Sequence, residues 1–152
     1  KFTVSSSGLT IGWTHLVLNY ATSSGVTNLS AVALYNAASP STAISASSSV
    51  NTTTKQIVID TATEQPAGTY LVKATVTGGS TTGDYVNTNI PNLKTAFLAP
   101  TSATTASSTT AGLGMSFVWT DQSAQSHSFT TYDWNSDYLV LNIPTDTQNL
   151  VK

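Results

Sequence analysis

Period-two alternation of apolar and polar side chains constrains this chain more than any other feature. The clearest run is Tyr70 to Thr77, with Tyr70, Val72, Ala74 and Val76 on one face and Leu71, Lys73, Thr75 and Thr77 on the other. Pro66-Ala67-Gly68 precedes it and Gly78-Gly79 follows it, and both are turn-forming sequences. A helix would need its apolar residues three or four apart, so this period describes a strand with one face on a core.

The same alternation recurs along the chain. Phe2 and Val4 alternate, as do Leu9, Ile11 and Trp13, and then Leu16, Leu18 and Tyr20 with His15, Val17 and Asn19 opposite. Further strands are predicted over 32–35, 44–50, 56–60, 85–90, 94–98, 113–119, 126–132 and 138–143. Roughly ten short strands separated by polar turns form the pattern of a sandwich or barrel. The expected fold is all-β, an antiparallel β-sandwich formed as one domain over 1–152. Residues 99–112 read as a low-complexity Ser/Thr loop, with an O-glycosylated stalk as the sharper version of that reading.

Composition narrows the setting. Serine and threonine supply about a third of the chain, arginine and cysteine are absent, and Glu64 is the one glutamate. These residues suit strands, turns and solvated faces, and they leave few helix formers, soft metal ligands or catalytic thiols. Charged residues are 8% of the chain with a net charge of -2, which offers no footprint for nucleic acid and no polybasic membrane patch. A hydrophobic fraction of 39% is enough to fold. No apolar run approaches the roughly 20 residues of a membrane span. A start at Lys1 in place of Met fits a processed or trimmed chain, and lack of cysteine argues against a disulfide-stapled eukaryotic secreted domain. The expected location is extracellular, on the surface of a bacterium, an archaeon or one of their viruses.

The stretch Glu64-Gln65-Pro66-Ala67-Gly68-Thr69-Tyr70-Leu71-Val72 resembles the turn that feeds a late strand in prokaryotic immunoglobulin-like surface domains. The resemblance implies an immunoglobulin-like, elaborated immunoglobulin-like or jelly-roll sandwich. It also implies a glycine conformation closed to other residues, and a tyrosine ring under the turn with its hydroxyl on backbone. In overall character the chain is similar to subunits of surface filaments and pili that polymerise by strand donation. That likeness implies a donor strand within 1–13, with Phe2, Val4, Leu9 and Ile11 as donor side chains and Ser5-Ser6-Ser7-Gly8 as a flexible break, against the alternative that this segment is the first strand of the chain's own sheet. The pilin likeness further implies a Lys-to-Asn isopeptide assisted by Glu64, although no particular lysine stands out.

Catalytic chemistry has little to draw on. Neither a nucleophile elbow, a zinc-protease motif, a phosphate loop nor a cysteine is present, so no catalytic residues are assigned and no cofactor is expected. His15 reads as a sheet-face residue and His127, between two serines, as exposed. Asp133, Asn135 and Asp137 have the spacing that opens a calcium loop, but Tyr138 replaces the required glycine and Pro144 the closing glutamate. A calcium site completed by distant oxygens stays open beside a plain Asx-rich turn. Tyr132, Trp134 and Tyr138 form a candidate platform for stacking on surface glycans, against the alternative that they are core. Asn28 and Asn51 head N-glycosylation sequons. The leading expectation is a non-enzymatic homopolymer subunit. A carbohydrate-binding or adhesin head and a viral capsid-decoration or fibre-head domain are the rivals.

Overall fold

β-branched and aromatic residues at alternate positions build strands throughout a computed structural model that describes residues 1–93 and 115–152. Among these residues there are ten strands and no helix. They are β1 (Phe2–Val4), β2 (Gly12–Thr22), β3 (Val26–Asn36), β4 (Ser45–Asn51), β5 (Gln56–Pro66), β6 (Gly68–Gly78), β7 (Tyr85–Asn89), β8 (Phe117–Thr120), β9 (Trp134–Ser136) and β10 (Gln148–Val151). The strand predicted over 94–98, the 99–112 loop and the start of the strand predicted at 113 lie outside the described residues.

Two antiparallel sheets pack face to face as a β-sandwich. One is three-stranded, in the order β1-β6-β3, and the other runs β10-β7-β2-β5-β4, with β8 also on β2 and β9 on β8. Central strand β2 holds β5 along one side, while its other side is shared between β8 at the start and β7 at the end. A bulge between Trp13 and His15 changes the facing, so Trp13 and Leu16 both point inward although their parity differs. The core joins Trp13, Leu16, Leu18, Leu34, Ile57, Ile59, Tyr70 and Phe117 across the two sheets.

On the outer side of β2 and β8 lies a second, smaller cluster of Met115, Val118 and Trp134 with Phe129 against it. It explains why β2 is buried on both faces from Gly12 to Leu18. His15 sits inside this layer and not on an open sheet face. Its Nδ1 is 2.7 Å from Asp60, which also accepts Ser47 Oγ at 3.0 Å.

The two sheets meet along one margin. Tyr35 bridges Ala43, and Ile44 N donates to Leu34 O at 2.8 Å, so β3 and β4 close that side of the sandwich. Among the described residues no such link joins the opposite margin, where β6 faces β7 and β10.

Two predicted strands are corrected. Residues 126–132 form turns, because Ser128 and Thr131 side chains bond the local backbone and compete with a ladder: Ser128 N donates to Thr131 Oγ1 at 3.1 Å, and Thr131 Oγ1 to Ser128 O at 2.7 Å. Residues 138–143 form an irregular loop in which Leu139 and Asn142 take positive φ, 56° and 62°. Conversely, β9 and β10 form where the sequence shows no clear alternation.

Candidate functional site

The two walls of the open margin come from the alternation already seen in sequence. On β6, Tyr70, Val72, Ala74 and Val76 face inward, and Tyr70 reaches the core. Opposite stand Leu18 of β2, Ile57 of β5 and Val86 of β7, with Leu150 of β10 at the rim. Between them runs an open groove of about 890 Å³.

Among the described residues, one side of β6 lacks a strand along most of its length, and the groove opens there. Strand β6 pairs with β3 along its length, but on its other side β1 covers only Gly68, Thr69 and Tyr70. From Leu71 to Gly78 that side of β6 has no strand partner among the described residues. At the usual strand rise this edge is about 25 Å long. Val76 on the groove wall is 38% exposed and Leu150 is 66% exposed, which records how little covers them. An edge of this kind presents unpaired N–H and C=O groups above an apolar floor, and it is a template for a further strand.

Strand β1 occupies the head of this edge. Phe2, Thr3 and Val4 lie opposite Tyr70, Thr69 and Gly68 in antiparallel register. The Phe2 ring stacks on Tyr70 at 5.6 Å and meets Trp13 edge-on at 5.8 Å. Ser5 to Thr10 are exposed, Gly8 takes φ 93°, and Leu9 stands 67% in water. Ile11 is partly buried just before β2. The four candidate donor residues therefore form two pairs. Phe2 and Val4 are packed in a strand, while Leu9 and Ile11 lie in the connection.

The Tyr70 hydroxyl donates to Pro66 O and ties the turn to the strand that it feeds. Burial pushes the Tyr70 pKa up, with a smaller opposing effect from Trp13, so the hydroxyl keeps its proton for this bond. Gly68 has no positive φ, and an added Cβ would meet nothing closer than 3.6 Å, so the closed conformation expected there is absent. The turn that does require glycine is at the far end of the groove. Gly78 takes φ +83°, and a Cβ there would fall 2.2 Å from Gly25 O. Beside it Asp84 accepts Thr81 N at 2.9 Å and Ser23 Oγ at 2.8 Å, which holds its carboxyl below the usual range.

Trp134 is fully buried, with Nε1 donating to Ser128 O at 3.0 Å, so it offers no face to a sugar; Tyr132 is exposed and Tyr138 partly so, and the three rings do not form a platform. Asp133 and Asp137 turn to different partners. Asp133 accepts Thr120, Thr131 and His127, whereas Asp137 is buried and accepts the Ser116 and Phe117 N–H groups. Burial raises the Asp137 pKa, and those backbone donors offset part of the rise. Among the described residues no group of three or more His, Cys, Asp or Glu side chains is arranged to hold a metal ion.

Asn28 is exposed on β3, and Asn51 ends β4 with its side-chain oxygen accepting Thr53 N and Thr54 N at 3.0 Å each. Glu64, expected beside a lysine, instead meets His127 and Gln122. Among the described residues no helix is long and apolar enough to cross a membrane.

Together the fold and groove define an antiparallel β-sandwich with one margin open among the described residues. Comparison with known proteins returns no match, whether to family models, curated proteins or solved structures.

Proposed function

We propose that this protein is a non-enzymatic structural subunit of an extracellular surface filament or pilus, polymerising by donation of a β-strand from one copy to the next. The observation that carries this reading is the edge of β6 from Leu71 to Gly78, which has no strand partner among the described residues and lies above an apolar groove. The donor is the N-terminal arm of a second copy. In a lone chain this arm already pairs with the head of the same edge, and it is joined to β2 by an exposed segment that acts as a hinge.

Released from its own subunit, the arm can run antiparallel to β6 farther along the neighbour's groove. A register shift by an even number of residues keeps Phe2 and Val4 facing inward, so they can move from Tyr70 and Gly68 to positions opposite Val76 and Ala74. Backbone hydrogen bonds supply affinity, and the inward side chains set register. Each copy that gives its arm exposes its own edge, so addition is head-to-tail and the polymer is open. Leu9, in water in the lone chain, then lies in the link between copies.

Electron microscopy of the concentrated chain, with and without residues 1–8, tests the proposal. Long single-subunit filaments are expected from the full chain. The truncated chain is expected to remain a monomer, less stable by about 3 kcal/mol from the lost packing of Phe2 and Val4. Unchanged polymerisation after truncation would sink the idea. A closed ring of a few copies would favour the capsid-decoration or fibre-head reading, and a strict monomer would favour a binding module.

A further inference from the structure

Three titratable side chains meet on the face of the sandwich remote from the groove, and they come from both sides of β2. Gly12 of β2 lies between Pro66 of β5 and Thr120 of β8. The Glu64 side chain passes directly over Gly12, so an ideal Cβ at that position would fall 1.5 Å from Oε1. Having crossed the strand, Glu64 Oε2 meets His127 Nε2 at 2.6 Å, and Oε1 accepts Gln122 Nε2. On the other edge of the imidazole, Nδ1 meets Asp133 Oδ2 at 2.7 Å. Asp133 is itself fixed by Thr120 Oγ1 at 3.1 Å and Thr131 Oγ1 at 2.6 Å. The imidazole also lies 5.4 Å from the Trp134 ring, which contributes no charge. The charged groups that meet His127 among the described residues are thus Glu64 from β5 and Asp133 from the connection between β8 and β9.

A neutral imidazole has one N–H and can donate to one carboxylate only. Here both ring nitrogens lie at hydrogen-bond distance from carboxylate oxygens, an arrangement satisfied when both carry protons. Loss of one proton would turn a ring lone pair toward a carboxylate. The 121–133 connection contains no strand, and besides this contact it is held by local turns, by Gln122 on Glu64 and Thr120 on Asp133, and by the small Met115–Val118–Trp134 cluster. We infer that Glu64, His127 and Asp133 form a protonation-dependent clasp that fastens the 121–133 connection across β2, at the root of the N-terminal arm.

Burial of the ring lowers its pKa, but the hydrogen bonds and charges of Glu64 and Asp133 outweigh this, and the net shift is upward from 6.5. The stabilisation is therefore whole below about pH 6.5, the unfolded value, and is lost as pH rises through the higher folded value. For Asp133, burial raises the pKa, but the bonds from Thr131, His127 and Thr120 dominate and leave it below 3.8. Its contribution is present above pH 3.8 and is lost as pH falls through the lowered value. The clasp holds between these limits. If the strand-donation reading stands, mildly alkaline solution loosens the seat from which the arm departs.

The test uses dispersed, monomeric full-length chain, so its result does not depend on filament formation. NMR follows the ring titrations of the two histidines while amide exchange, corrected for intrinsic pH dependence, is measured at Ser128 and Thr131. His127 is expected to titrate above 6.5, and protection of those amides is expected to fall roughly tenfold for each unit of its upward shift as pH passes through that value. Glu64→Gln should lower the His127 pKa with the β2–β5 amides still protected. His127→Gln should abolish the pH step. Titration of His127 at or below 6.5, protection that ignores its titration, or a step surviving in His127→Gln would each overturn the inference.

Discussion

At position 12 the absence of a side chain decides what the neighbouring strand can do. Glycine inside a strand ordinarily costs about 0.5–1 kcal/mol relative to alanine, so Gly12→Ala should on backbone grounds be neutral or mildly stabilising. The atoms that a Cβ would strike belong to the flexible end of Glu64, which can swing away at little cost to the sheet. The expected result is a thermal midpoint within a few degrees of the parent and a His127 pKa brought down toward or below 6.5, read by ring titration. A parental His127 pKa in Gly12→Ala would mean that Glu64 reaches the ring by another path. Little of this was legible in the sequence. His127 between two serines reads as exposed, and its partner Glu64 is 63 positions away, brought close only by the pairing of β5 and β8 on either side of β2. Tyr70 was more readable, because a turn and the ring beneath it are neighbours in the chain; its hydroxyl does bond Pro66 O, whereas Gly68 lacks the conformation assigned to it.

Among the elements, strands with one face on the core were the legible ones. The alternation from Tyr70 to Thr77 became β6, with Tyr70 and Val72 on the core and Ala74 and Val76 on the groove wall, because alternate side chains of a strand share a face. Strand β10 is not legible in the sequence because all four of its residues are exposed, so no apolar face repeats. Residues 126–132 misled because Phe129 and Tyr132 supply apolar character, while the serines and threonines between them satisfy the backbone locally. What alternation could not convey was that the inward face of β6 would be only half covered, since that depends on how far β1 extends beside it. This partial cover permits a separation of stability from assembly. Val76→Lys places a charge at a wall position that is 38% exposed, so it should cost at most about 1 kcal/mol in chemical denaturation of the monomer. A donated strand would bury that charge, and filament yield by sedimentation should fall at least tenfold. Parental assembly by Val76→Lys would remove the groove from the mechanism.

For the whole molecule, the question is whether one arm serves its own sheet or a neighbour's, and a chain without cysteine allows the two cases to be told apart covalently. Thr3 and Thr69 are directly opposite in the β1–β6 pair, with their hydroxyl oxygens 3.2 Å apart. Facing residues of an antiparallel pair have Cα separations within the range that a disulfide spans. In a Thr3→Cys, Thr69→Cys double variant, oxidation of dilute monomer should therefore close a bond that keeps the arm on its own subunit. Closing the intervening loop would also stabilise that form, by about 2–4 kcal/mol. The locked chain has an intact sandwich, an intact clasp and the same surface as the parent, but it cannot give its arm away. Electron microscopy of the oxidised variant should show monomers, and reduction should restore filaments from the same sample. Filaments formed while mass spectrometry finds the intrachain bond closed would exclude exchange of this arm. A covalent ladder formed on oxidising preassembled filaments would instead place Thr3 of one copy beside Thr69 of the next, meaning that the donated arm keeps the register it has in the lone chain.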